Sequence, residues 1–220
     1  MSLQMSIHKI EARSLVDGPG ERTVLFMQGC TIECPGCQNI HLWKKENGRV
    51  ESVEAIAETL ANLAGPGGQV TISGGEPFAQ PRALAILLRE LKEVYGIAHV
   101  IVYSGFTWEA LTSPDFAPFD VHFAVLAALS HIDILVDGPF IKALDDPFIA
   151  YRGSRNQRPI DVQASIKSLD GPVVLDWGFT EIAISESGNA FIPVGLVQDF
   201  ADLGGVNRTR QCGQTKGFGG

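Results

Sequence analysis

The sequence is poor in features that mark several large protein classes. Only four of its 220 residues are cysteine, far too few for a disulfide-built scaffold. No uncharged apolar stretch reaches the ~18 residues of a membrane span, and Met1 to Ser14 lacks the apolar core of a secretory signal, so the protein is expected in the cytoplasm without a membrane partner. Basic residues are in deficit: 17 Lys and Arg against 25 Asp and Glu leave a net charge of −8. That sign argues against phosphate backbones and anionic lipid as primary partners, so no direct nucleic-acid binding is expected. Charged residues are also scarce, at 19% against 45% hydrophobic, which excludes disorder across the body and leaves a globular chain. Residues 1–203 read as a single domain. Residues 204–220 read as a glycine-rich basic tail, expected to be flexible.

What the chain does contain is an alternation of short apolar runs with helical periodicity, the pattern of an α/β fold of βα units around a parallel sheet. Arg22 to Gln28 opens the series with the unbroken run Val24-Leu-Phe-Met27, which suits a strand buried on both faces. Ser52 is placed to cap a helix with Val53, Ile56, Leu60 and Leu63 on one face and Gly65 at its end. Val70 to Ile72 is the second strand and Arg82 to Val94 the next helix. His99 to Tyr103 is the third strand, with Thr107 capping a short helix that contains Trp108 and Leu111. Ser113 to Ser130 carries no clear pattern. Ile132 to Val136 is another buried strand, and Glu181 to Val194 reads as a late hairpin.

Three of the four cysteines, Cys30, Cys34 and Cys37, fall within eight positions directly after the first strand. Pro35, Gly36 and Glu33 make this a turn-rich polar loop, a poor setting for buried structural thiols. Three thiols so spaced suit one metal centre. With His41 they form C-x3-C-x2-C-x3-H, a ligand string that would close a tetrahedral zinc site. An iron–sulfur cluster is the alternative, and its usual fourth cysteine is missing, because only Cys212 remains, in the tail. Three ligands would leave one iron open to bind a small molecule.

In a βα fold, chemistry gathers where loops leave the carboxyl ends of parallel strands. Four strands here deliver polar or glycine-rich segments to that rim: the cysteine loop, Ser73-Gly-Gly-Glu-Pro77, Ser104-Gly105 and Asp137-Gly-Pro139. The absence of a Cβ at Gly74 and Gly75 lets a ligand approach the backbone, and Glu76 adds a carboxylate there. Taken alone, Ser104 reads as a helix-entry residue, and Asp137 as a turn former before Gly138-Pro139, as readily as either reads as a functional residue. Asp17 is expected to shape the approach to the first strand.

The C-x3-C-x2-C string followed by Gly-Gly-Glu resembles the radical S-adenosylmethionine enzymes. Asp17-Gly-Pro-Gly20 ahead of the first strand is similar to the glycyl-radical-enzyme activases. Cys34-Pro-Gly-Cys-Gln-Asn39 with Trp43, Tyr103-Ser-Gly-Phe-Thr107, Ile134-Leu-Val-Asp-Gly-Pro-Phe140 and Arg152-Gly-Ser-Arg-Asn-Gln-Arg158 narrow the resemblance to the ribonucleotide-reductase branch, over most of residues 10–165. No cysteine lies between Cys37 and Cys212, as in the branch without extra clusters.

The resemblance implies an incomplete (βα) barrel of mostly parallel strands with a 4Fe-4S cluster on Cys30, Cys34 and Cys37. S-adenosyl-L-methionine would chelate the fourth iron. Gly36, Cys37 and Gln38 would lie near its adenine and Gly74, Gly75 and Glu76 near its amino group, with Ser104 and Asp137 along the cofactor. No side chain beyond the cluster and cofactor site is expected to be catalytic, and in this family the position of His41 holds no metal. The implied partners are a flavodoxin- or ferredoxin-like electron donor and a glycyl radical enzyme, anaerobic ribonucleotide reductase first. Arg152, Arg155 and Arg158 would hold anionic groups or dock that partner, or form a plain basic patch. Two rival readings are a radical enzyme acting on a small molecule, such as a deazapurine ring contraction, and a non-catalytic zinc or iron–sulfur binding module. The ring-contraction family normally shows Gly-Glu-Gly where this chain has Asp17-Gly-Pro-Gly20. Arg210-Gln-Cys-Gly-Gln214 resembles a glycyl-radical loop, a match that short motifs produce by chance.

Overall fold

In the computed structural model the described residues are 2–178 and the backbone of two short strands, Ala183–Ile184 and Ala190–Phe191. Four strands form the centre of one open sheet: β2 (Arg22–Met27), β4 (Gln69–Gly74), β5 (His99–Tyr103) and β6 (Ile134–Asp137). They are the four read from the apolar runs, and each pairs with the next in parallel. Antiparallel strands extend both sides, giving the order β3-β1-β2-β4-β5-β6-β7-β8. These are β1 (Gln4–Ser14), β3 (Arg49–Ser52), β7 (Arg158–Asp161) and β8 (Val173–Val174). Ala183–Ile184 (β9) and Ala190–Phe191 (β10) pair antiparallel where the late hairpin was expected. Residues 204–220, with Cys212, lie outside the described residues.

Burial explains why the central strands are legible. Leu25, Ile72, Val100, Val102 and Leu135 face the main core under the helices, while Ile101, Ile134 and Val136 face a second, smaller cluster with Trp177 on the other side of the sheet. A strand buried on both faces needs apolar residues at every position. Helix α1 (Val53–Ala64) begins at Ser52, whose hydroxyl accepts from Ala55 N, and ends at Gly65 with φ 73°. Its buried stripe is Val53, Ile56, Ala57 and Leu60, continued by the partly buried Ala64. Leu63, expected on that face, is exposed, because a step of four from Leu60 keeps the sheet-facing direction and a step of three does not here.

The second helix runs as α2 (Pro81–Arg89) and continues as a π turn over Glu90–Val94. Thr107 caps α3 (Trp108–Thr112) by accepting from Ala110 N. The unpatterned stretch contains α4 (Phe119–Leu129), with apolar residues on both sides: Val125, Ala128 and Leu129 are buried and Phe119, Phe123 and Leu126 exposed. A helix α5 (Val162–Lys167), capped by Asp161, links β7 to β8. Among the described residues no helix is long and apolar enough to cross a membrane.

Two buried polar side chains fix the strands that carry the site. At the amino ends of the parallel strands Arg22, 1% exposed, donates to Thr71 Oγ1 (2.6 Å), Val70 O (2.7 Å) and Gln69 Oε1 (2.5 Å). Burial brings its pKa down to about 10, partly offset by the charges of Tyr103 and Asp133. Near the carboxyl ends the Gln80 amide exchanges two hydrogen bonds with the Ser6 backbone, both at 2.9 Å, and donates to Gln28 O at 3.1 Å. It serves where the β1–β2 register shifts between Ile7 and Lys9.

Candidate cluster and cofactor site

The cysteine loop is closed at its base by backbone pairing. Gly29 N donates to Leu42 O (2.8 Å) and Cys30 N to Trp43 O (2.9 Å). Gln28 fastens the returning segment, its amide donating to His41 O (3.0 Å) and Lys44 O (2.9 Å). Gln28 was not singled out from the sequence, though a polar residue ending an apolar strand is a usable signal. Inside the loop Cys37 N donates to Cys34 O at 3.0 Å, and Asn39 N reaches Cys37 Sγ at 3.3 Å. Glu33 and Gly36 take positive φ, 49° and 81°. All three cysteines are free and half-buried. Burial pushes the Cys30 thiol up, and the charges of Glu76 and Cys34 push the same way.

His41 is exposed, its ring packed edge-on against His8 with centroids 5.3 Å apart. Among the described residues no three His, Cys, Asp or Glu side chains are gathered as a ready metal site. The three thiols share one loop, while the His41 ring packs on His8.

The Gly-Gly-Glu segment lies beside this loop in the next strand. An added Cβ at Gly74 would stand 2.6 Å from Met27 N, and one at Gly75 would stand 2.3 Å from Gly29 O. The two glycines are thus required by the neighbouring backbone of β2, a reason distinct from ligand approach. Gly75 N donates to Met27 O (2.9 Å) and Glu76 N to Gly29 O (2.8 Å), so the seam ends beside Cys30. The Glu76 side chain is 1% exposed and points inward. It accepts from Phe78 N (2.9 Å), Ser104 Oγ (3.0 Å) and Gly105 N (2.8 Å). Burial raises its pKa to about 7 against the lowering effect of these three donors.

Ser104 is buried, and its hydroxyl also accepts from Phe106 N at 3.0 Å. Asp137, fully buried at the end of β6, accepts from Trp108 N (2.7 Å) and from Arg158 Nε (3.0 Å) and Nη2 (2.5 Å). Arg158 also pairs with both oxygens of Glu109, at 3.1 and 2.8 Å. The bonds to Asp137 and Glu109 hold its pKa above the ordinary arginine value. Of the other two arginines, Arg155 pairs with Asp146 at 2.7 Å, and Arg152 donates to the carbonyls of Ala150, Gln157 and Gly178. The three therefore do not form one free basic patch.

The geometry places the cysteine loop, Gly74–Glu76, Ser104–Gly105 and Asp137 at the carboxyl ends of four adjacent parallel strands. A family model described as a 4Fe-4S single cluster domain matches residues 16–160. The chain is 31% identical over 159 residues to the anaerobic ribonucleoside-triphosphate reductase-activating protein of Salmonella typhi, covering 70% of this chain and 96% of that one. The chain belongs to the radical S-adenosylmethionine activases. The pyruvate formate-lyase-activating enzyme of Clostridium pasteurianum is 37% identical over 123 residues, covering 52% of this activase and 51% of that enzyme. Among solved structures, QueE from Escherichia coli overlaps 47% of this chain and 53% of its own at a TM-score of 0.41 and 20% identity.

A 4Fe-4S cluster and S-adenosylmethionine are the groups this family uses. The donor set fits them: three free, half-buried thiols lie on one turn-rich loop, and Asn39 N already reaches the Cys37 sulfur. Amide donors toward thiolate sulfur are among the means by which a protein tunes such a cluster.

Proposed function

We propose that this activase generates a glycyl radical on an anaerobic ribonucleotide reductase, drawing one electron from a flavodoxin- or ferredoxin-like donor. The observation that supports this partner most is the near-complete overlap, 96%, with a reductase-activating protein, against 51% and 66% of two pyruvate formate-lyase-activating enzymes. Cys30, Cys34 and Cys37 would hold the cluster, with the backbone of Gly36 to Gln38 near the adenine of S-adenosylmethionine, that of Gly74 to Glu76 near its amino group, and Ser104 and Asp137 along it. Held on those three cysteines, the cluster would supply the electron for reductive cleavage of S-adenosylmethionine, the chemistry through which a hydrogen atom would be removed from a glycine Cα of the partner.

The chain's own part is to hold and exclude. Gln28 and the Leu42–Trp43 backbone keep the cysteine loop closed at its base. The buried carboxylates of Glu76 and Asp137 spend their oxygens on protein donors, so neither stands as an acid or base toward a substrate. A cofactor that carries the hard chemistry asks the protein for position and for a site closed to water.

The test is anaerobic reconstitution with iron and sulfide, reduction with dithionite, addition of S-adenosylmethionine, and quantification of 5′-deoxyadenosine, with Cys34→Ala as control. A candidate anaerobic reductase and a pyruvate formate-lyase are then offered in parallel, and the glycyl radical is read by electron paramagnetic resonance. Radical on the reductase alone supports the reading, and radical on the lyase alone moves the partner. A cluster-loaded protein that yields no 5′-deoxyadenosine with either would return the chain to a binding module.

A further inference from the structure

Three loops far apart in sequence meet at Gly105. An added Cβ there would stand 2.5 Å from Ile32 Cδ1, with Ile32 Cγ2 at 3.6 Å and Glu76 Oε2 at 3.7 Å as the next atoms. Ile32 lies between Cys30 and Cys34, so the cysteine loop rests a side chain on the face of Gly105 where a Cβ would be. Gly105 is not among the glycines with positive φ, so no backbone conformation requires it. A side chain at 105 would have to displace the tip of Ile32.

The Gly105 backbone is itself held. Its N–H donates to Glu76 Oε2 at 2.8 Å, and the adjacent Ser104 hydroxyl donates to Oε1 at 3.0 Å. The Glu76 N–H donates to Gly29 O at 2.8 Å, one residue before Cys30. One buried residue therefore grips the cysteine loop at its base through the main chain and, through Gly105, supports Ile32 at its middle.

We propose that Glu76 and Gly105 are positioning residues for the cysteine loop: Glu76 fixes the Gly105 backbone, and Gly105 seats Ile32 and with it the Cys30–Cys34 segment. The functional meaning rests on those cysteines being the cluster ligands, while the mechanical linkage stands apart from it. Glutamine at position 76 would break the linkage at constant size, because its amide nitrogen is a donor facing donors.

The test uses the full reduced chain before reconstitution, reading hydrogen exchange by mass spectrometry in peptides covering 29–38 and 104–107. Gly105→Ala is expected to speed exchange in both by about tenfold, the scale of one lost buried hydrogen bond to a charged group. Ile32→Val removes the atom 2.5 Å away and should restore both peptides in the Gly105→Ala background. After reconstitution, the electron paramagnetic resonance line shape of the reduced cluster should shift in Gly105→Ala and return in the double variant. A glycine kept for close cofactor approach would give no rescue, and that result, or an unchanged 29–38 peptide, overturns the proposal. Should Gly105→Ala fail to fold, Glu76→Gln is read the same way: faster exchange in both peptides supports the linkage, and exchange confined to 104–107 overturns it. Intact coupling without 5′-deoxyadenosine would instead count against the proposed function alone.

Discussion

Gly75→Ala isolates one contact on which the site depends. The new methyl would stand 2.3 Å from Gly29 O and 2.9 Å from Gly29 C, so β2 and β4 must part by about 1 Å at their carboxyl ends to reach ordinary contact. Parting there stretches the hydrogen bonds from Gly75 N to Met27 O (2.9 Å) and from Glu76 N to Gly29 O (2.8 Å). Overpacking of about 1–3 kcal/mol, with roughly 1 kcal/mol from weakened hydrogen bonds, gives a loss of about 2–4 kcal/mol. For a chain of this size that is roughly 5–15 °C in Tm. Urea unfolding of the reduced, cluster-free protein should show a lower midpoint with an unchanged slope. Gly67→Ala is the control, with φ 65° and nothing within 4 Å of the added Cβ, so it carries conformational strain of about 1–2 kcal/mol without a clash. A Gly75→Ala midpoint at or above that of Gly67→Ala would refute the packing argument.

Other perturbations probe the frame around the site. His99 lies 3.2 Å from the Arg22 guanidinium, and burial, then that charge, lowers its pKa to about 4. A lowered folded value means the unfolded chain takes the proton first, so this contribution is intact above pH ~6.5 and is lost, by up to about 3 kcal/mol, as pH falls toward ~4. His99→Gln should flatten that limb of a plot of urea midpoint against pH, and an unaltered slope would contradict it. Arg158→Lys cannot keep both carboxylates in bidentate grip and leaves the fully buried Asp137 short of a donor, a loss of about 2–4 kcal/mol by urea unfolding. A cost near zero, as for an exposed pair, would show that Asp137 finds another donor. Thr107→Ala should cost about 1 kcal/mol and Thr107→Ser almost nothing, in the same assay, if the Ala110 N–H is the group being capped.

The parts of the fold legible in the sequence are those whose residues report their own surroundings. β5 and β6 lie between two apolar layers and read as apolar runs, and β2 carries the run Val24-Leu-Phe-Met27, while β4 sets Val70 and Ile72 toward the main core around Thr71, which accepts from Arg22. β1 shows no such run, because beyond Met5 and Ile7 it carries His8, Lys9, Glu11 and Arg13 where β3 no longer pairs with it. β7 holds a proline and two charged residues, one of them the partner of Asp137 across the ladder. Helix α4 escapes because apolar residues lie on both its buried and its exposed sides, so no stripe stands out. At the site, the cysteine spacing and the glycines were visible as a pattern. The inward turn of Glu76 and the meeting of Ile32 with Gly105 were not, since both are contacts between segments tens of residues apart.

The strands that close the cysteine loop give the site a history as well as a shape. β1, β2, the loop and β3 are complete within the first 52 residues, and their antiparallel pairings need nothing made later. Glu76 and Gly105, which press on the loop from the next two strands, are translated on the order of several seconds afterward at ordinary elongation rates. The order along the chain is thus cradle, thiols, cover. The residues that carry the three sulfurs leave the ribosome before the segments that cover them.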